Sequence, residues 1–393
     1  MIIIGASLAG SSAALYLARA GHSVCIFDRA KFPRIKPCGE GLSALGRSVL
    51  VDLGLEQKLS ETPHQPLSGY IIHWNKTNAA IHYTDKNSTQ EAAESGLGIK
   101  REFLDNLLIE ECRRDKLITV HEETPVKSIK SSAGNFEIPV PSGTATSRRL
   151  ILADGGTSPS ADLLGIRPDR VSNPKRSALT ANYTGRWKTP VSEVQIFIHK
   201  NISIFVTPVG VNEVSAAILA DPAGARILAS PAMRTSLIDA AFQRIGFDQA
   251  QVGTSIGCSN LSPRRRRSGI PGVFLIGDAI EQLDPIGGLG MTHALISAQQ
   301  AAAAISAELT QIISPAEAQA LYLSNRESAV IPLRGFTRLV AGAFSLSDQL
   351  PLIRPLIGSR LGIAASREAL KLPRQAQISG ITSQCVLFAA GYK

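Results

Sequence analysis

Residues 273–294 constrain the fold more than any other stretch of this chain. A short apolar run, 273–276, reads as a buried strand. It stops at Gly277-Asp278, crosses a loop holding Pro285, Gly288 and Gly290, and enters an Ala-rich helix from about Met291. A carboxylate at the end of a buried strand can accept hydrogen bonds from sugar-like hydroxyls. Glycines at a helix start let a ligand approach bare backbone N–H groups. Strand, acid, glycine loop and helix in this order predict an α/β fold with a ligand at the strand ends.

The N-terminus supplies a complementary half. Residues 1–4 form an apolar strand run that enters Gly5-Ala6-Ser7-Leu8-Ala9-Gly10 and then a helix over 11–20. A second strand, 23–27, ends at Asp28. This is a βαβ unit with a glycine turn and an acid about 20 residues on. Gly5 allows the tight turn, and Gly10 lets the helix pack on the strand. Ser7 replaces the usual middle glycine and is small enough to let a pyrophosphate approach over Ser7, Ala9 and Gly10. Asp28, with Arg29 beside it, suits the adenosine ribose. The two halves together suit a flavin dinucleotide. Asp278 then takes the ribityl chain, and Pro285, Gly288, Leu289, Gly290 and Met291 bring a helix N-terminus to the pyrimidine edge of the ring. Arg101 opens a helix with apolar residues at helical spacing and is placed to meet phosphate or the adenosine end. Asp154 ends a further strand, in Leu-Ile-Leu-Ala-Asp-Gly-Gly-Thr-Ser over 150–158.

Gly5…Gly10, Asp28, Arg101, Asp154-Gly155 and Gly277-Asp278…Pro285…Gly290 run in one order. In that order the chain resembles FAD-dependent enzymes of the para-hydroxybenzoate hydroxylase-like fold, over about residues 1–310. The segment 36–43, Lys-Pro-Cys-Gly-Glu-Gly-Leu-Ser, looks most like the geranylgeranyl reductase and flavin-dependent halogenase branch. The resemblance implies an α/β fold: a Rossmann-like FAD-binding domain of the glutathione-reductase type, an inserted antiparallel β-sheet substrate domain and a C-terminal helical segment. It also implies non-covalent FAD and a 36–43 loop close to the isoalloxazine ring.

The domains expected are a discontinuous FAD-binding domain over 1–65, 96–165 and 255–310, a substrate domain over 66–95 and 166–254, and helices over 311–393. Strands are expected at 69–74, 79–83, 177–183, 192–199, 202–208 and 213–219, roofing the flavin. A helix is expected at 233–245. The C-terminal helices should be broken by Pro332, Pro351, Pro355 and Pro373. Their arginines, Arg334, Arg338, Arg354, Arg360 and Arg367, either snorkel from packed helices or face a lipid surface.

At 393 residues the chain suits two intertwined domains. No apolar run reaches 18 residues, so no membrane span is expected, and peripheral contact stays open. Residues 1–4 lead straight into the cofactor turn, which points to a cytoplasmic protein without a signal peptide. Cysteines 25, 38, 112, 258 and 385 form neither a disulfide framework nor a metal site. The net charge is +9. The run Arg264-Arg265-Arg266-Arg267 has no interleaved aromatics, so it reads as a solvated loop and not as a nucleic-acid interface.

The resemblance leaves three reactions. A hydroxylase of a small aromatic or polyketide-like substrate, working through a flavin hydroperoxide, leads. A reductase of an unsaturated prenyl or lipid-like substrate is the alternative. A halogenase or a flavin electron carrier follows. Neither Trp74 nor Trp187 lies in a halogenase-like segment, and 203–208 keeps only Pro208 of the reductases' substrate-facing motif. Hydroxylases of this fold carry an Arg after Asp-Gly where this chain has Ala161, so NAD(P)H is in doubt and a separate electron donor is in play. Cys38 and Glu40, in the ring-proximal loop, are the catalytic candidates. Asp284 should brace the loop before Pro285, and His293 should pack the helix.

Overall fold

A computed structural model describes residues 1–347, apart from 75–76, 84–94, 133, 142, 172–174 and 200. Five strands form a parallel sheet in the order Val273–Leu275, Leu150–Leu152, Ile2–Ile4, Val24–Phe27, Ile118–His121. Their apolar runs show no alternation because they are buried throughout, in one core with the helices and with Phe136 and Ile138 of a small antiparallel sheet, Lys130–Ser132, Asn135–Val140 and Gly143–Ser147. Helix Leu8–Arg19 packs on one long C-terminal neighbour, Gly290–Leu309, and on Arg101–Arg114. The two strand–loop–helix units read from the sequence thus lie side by side.

A second sheet has eight strands. Its spine runs Phe247–Val252, Arg176–Trp187, Glu213–Ala220, Ile202–Gly210, Glu193–His199, Gly69–Trp74, Thr77–His82, with Ile256–Leu261 also on Arg176–Trp187. All pairs are antiparallel except Glu193–His199 with Gly69–Trp74. Its central strands, Glu193–His199, Ile202–Gly210 and Glu213–Ala220, are buried on both sides. Phe197, Ile204, Val206, Val214 and Ile218 pack with Ile238, Ala241 and Phe242 of helix Pro231–Ile245. The alternate residues face the parallel sheet's strand ends, as the two-residue period demands.

Two expectations are corrected. The four arginines are not a solvated loop: Arg264–Arg266 is a strand between Pro168–Val171 and Glu281–Gln282. Arg266 is 2% exposed and donates to the carbonyls of Gly156 (2.9 Å), Thr157 (2.8 Å) and Ala279 (3.2 Å). Pro332 breaks nothing: one helix runs Pro315–Ser347 through it. Pro332 and Ser328 are both exposed, so water can solvate the carbonyl that the missing N–H would have bonded. Pro351, Pro355, Pro373, Arg354, Arg360 and Arg367 lie outside the described residues.

Candidate active site

One continuous cleft separates the parallel sheet from the roof sheet, and nearly every element singled out above reaches it. Beside Ser7, Leu8 and Ala9, which line it, Gly5 has φ +101° and Gly10 packs so close that a Cβ would sit 1.8 Å from the Gly5 carbonyl oxygen. Only glycine fits either position. Helix Leu8–Arg19 starts at Ser7 with no side-chain cap. Asp28 is buried and ties this turn to the second strand, accepting from Ala6 N (2.7 Å) and Ala30 N (2.8 Å). Each oxygen keeps a lone pair for a ribose hydroxyl. Arg29 beside it is exposed.

Ser7 has a partner that the sequence reading missed. Its hydroxyl donates to Asp105 (3.0 Å) and accepts from Arg101 (2.7 Å). Arg101 also forks onto Asp105, at 2.9 and 3.2 Å. Asp105 has no exposed surface. Arg101 therefore reaches the cleft already neutralised and rigidly held, one turn before its partner on the same helix. Asp154 turns into its own chain, accepting from the Ser158 hydroxyl (2.6 Å) and Ser160 N (2.9 Å). Ala153 and Gly155 line the cleft at that point instead.

Another part of the cleft is built from residues 277–291. Gly277 has φ +57° and donates to the Ser297 hydroxyl at 2.8 Å, which turns Asp278 into the cleft. Among the described residues nothing hydrogen-bonds the Asp278 carboxylate. Burial pushes its pKa up, while Lys36, Arg101 and Arg264 pull it back. Asp284 braces the next turn as expected, accepting from Ile286 N (3.1 Å) and pairing with Arg176 (2.8 Å). Gly288, at φ +65°, ends that turn, and helix Gly290–Leu309 starts without a side-chain cap. A Cβ on Gly288 or Gly290 would meet no atom within 4 Å. Pro285, Gly288, Gly290 and Met291 line the cleft, whereas Leu289 turns into the core.

The loop from Lys36 to Gly41 forms one lip of the cleft. It is pinned to the roof where the Thr207 hydroxyl donates to Gly39 O (2.7 Å), and Gly41 pairs with Gly98 in a separate three-stranded sheet. Glu40 holds a left-handed φ of 57° and is 6% exposed. One carboxylate oxygen accepts from Arg101 N (3.2 Å), and the other is buried without a hydrogen bond. Burial pushes its pKa up to about 7, against the opposing pull of Arg101 N–H, the Ser215 hydroxyl, Lys100 and Arg101. The Cys38 thiol accepts from Glu40 N at 3.4 Å. Lys36 lines the same lip, and burial with the nearby Arg101 charge pushes its ammonium down. His293 is buried near Arg326 (3.2 Å), and burial followed by that charge lowers it to about 3. It is a neutral packing group.

These residues fit a flavin dinucleotide. The unpartnered Asp278 carboxylate meets the need of a polyol, and the uncapped helix starts at Ser7 and Leu289 meet those of a pyrophosphate and an electron-rich ring edge. Residues 1–314 match the family described as "FAD binding domain". The chain belongs to that family. FAD is its cofactor, and Asp278 and the two helix starts are the groups that would hold it.

A menaquinone reductase of Mycobacterium tuberculosis is 30% identical over 178 residues, 42% of this chain and 40% of that protein. A kynurenine 3-monooxygenase of Salinispora tropica is 29% identical over 170 residues, 40% of this chain and 36% of that protein. These matches span well under half of the curated relatives' length. The crystal structure of the p-nitrophenol 4-monooxygenase PnpA of Pseudomonas putida superposes with a TM-score of 0.75 at 18% identity, covering 94% of this chain and 95% of that one. Among the described residues, no helix of this FAD-binding protein is long and apolar enough to cross a membrane.

Proposed function

We propose that this protein is an FAD-dependent monooxygenase that hydroxylates a small, apolar organic molecule held beneath the roof sheet. One observation carries the reading: a single cleft is lined both by the cofactor loops and by an apolar roof. The roof's part of the lining is made of small side chains (Ala178, Thr180, Thr207 and Ala217) and larger apolar ones (Ile72, Ile196, Phe205 and Leu219). FAD, when bound, supplies two-electron redox chemistry and, once reduced, the activation of oxygen. The chain's own part is to exclude water, orient an apolar substrate and handle one proton. The roof and the pinned 36–41 loop exclude bulk water, which oxygen chemistry at a flavin requires. Glu40 is the proton-handling group, since its buried free oxygen changes charge near neutrality. The Salinispora relative's name is in keeping with oxygen use.

A second reading is reduction of an unsaturated, lipid-like substrate. The mostly aliphatic lining favours it, because a stacked aromatic ring would be better served by an aromatic wall. A half-protonated Glu40 next to Cys38 would supply the proton that alkene reduction needs. The mycobacterial menaquinone reductase is in keeping with this reading. Turnover of aryl and polyprenyl compounds under isotopically labelled oxygen separates the two. Product carrying the label supports the monooxygenase. Label-free product formed equally well without oxygen overturns it and establishes the reductase.

A further inference from the structure

The C-terminal helix Pro315–Ser347 is clamped to the segment that holds the flavin ring. Arg326 is 1% exposed and donates to Glu281. Arg334 forks onto Glu281, both bonds at 2.6 Å, and onto Glu327 at 2.9 Å. Glu327 in turn takes Arg265 at 2.8 Å. Glu281 stands three residues after Asp278. Further along the helix, Thr337 packs on the ring-side turn, where a Cβ on Gly287 would come within 2.3 Å of its hydroxyl. Phe336 and Val340 flank Thr337, four residues apart on one helix face, and both line the cleft.

We propose that Phe336, supported by Val340, is the specificity-determining wall that sets how long an apolar substrate the chamber admits. The proposal rests on the apolar-substrate reading above and assigns the limit on substrate size to one side chain. Phe336 is a bulky ring, 6% exposed, lining the cleft on the side of the C-terminal helix, whereas the other lining aromatics, Tyr70 and Phe205, belong to the roof sheet. It cannot swing aside freely. The helix behind it is held by a buried ion-pair network on one side and by the close Thr337–Gly287 contact on the other. A packed wall discriminates length because each extra methylene either finds space or forces a clash.

The test uses the FAD-loaded full-length protein and a series of straight-chain alcohols from butanol to hexadecanol, with binding read as a perturbation of the flavin absorbance. Wild type should bind more tightly with each added carbon, about fourfold per buried methylene, up to a sharp limit. Phe336→Ala should move that limit to longer alcohols, and Phe336→Trp to shorter ones, with FAD affinity unchanged in both. Should the alanine variant fold poorly, Phe336→Leu should give a smaller shift in the same direction. Arg334→Met, which loosens the clamp, should blur the limit. An identical limit in wild type and all Phe336 variants overturns the inference alone. If no alcohol perturbs the flavin in any of them, the apolar chamber reading falls and takes this inference with it.

Discussion

Asp278→Ala should move FAD affinity and the stability of the FAD-stripped protein in opposite directions. The carboxylate faces the cleft, and none of the described residues hydrogen-bonds it. Burial raises its pKa, and Lys36, Arg101 and Arg264 only partly oppose this. Without FAD the ionised group is a net cost to the fold, so its removal should raise the melting temperature. With FAD, the same oxygens would accept from the ribityl hydroxyls. A hydrogen bond to a charged group contributes about 1.5–3 kcal/mol, so its loss should weaken FAD binding roughly 10- to 150-fold. The pH dependence has a definite sign. The folded pKa lies above the unfolded one, so protonation favours the FAD-stripped fold. That contribution is full below the unfolded pKa and is lost as pH rises through the folded one. The variant should lack this dependence. Stripped protein, flavin-fluorescence titration and thermal unfolding across acid pH provide the assay. An unchanged FAD dissociation constant, or a stripped variant that melts lower than wild type, would refute the reasoning.

Four further outcomes are expected. Gly39→Val introduces a Cβ that meets no atom within 4 Å, so FAD stays bound, but the stiffened loop should let oxygen consumption outrun product, with peroxide making up the difference. Glu40→Gln should erase the inflection near pH 7 in the turnover profile; a variant profile that keeps it assigns that ionisation elsewhere. Arg326→Met removes one of the two arginines on Glu281 and leaves the Arg334 fork in place, so it should cost about 1.5–3 kcal/mol of stability. Burial pushes the Glu281 carboxyl up, but Arg334 and Arg326 hold it at about 2, so this stabilisation is present above the ordinary Glu range and fades as pH falls toward 2. The variant's deficit should shrink in acid, as unfolding curves would show. NADPH alone should reduce the flavin slowly: Ala161 is fully buried where an Arg was expected, and Arg167 is taken at the surface by Asp162 (2.9 Å). Rapid anaerobic bleaching in a stopped-flow instrument would contradict this and favour a self-sufficient enzyme.

The sequence by itself determined what local geometry controls. Gly5 and Gly10 were readable because a positive φ and a contact under 2 Å admit no side chain. Strands such as Gly69–Trp74 and Glu213–Ala220, and helix Pro231–Ile245, followed from periodicity and turn residues within a few positions. The Gly277-Asp278 loop and the FAD family were legible for the same reason. Tertiary structure decided what depends on partners distant in the chain. Ser7 and Arg101, 94 residues apart, hydrogen-bond each other and share Asp105. Arg266 is buried because three backbone carbonyls happen to converge on it, which a run of four arginines cannot reveal. Folding removes water from Glu40 and pushes its carboxyl up to about 7, and Phe336 lines the cleft from a helix that Arg334 ties to Glu281. Backbone angles and hydrophobic period are properties of neighbours along the chain. Desolvation, ion pairing and the walls of a cavity are properties of neighbours in space, and these decide what the site can do.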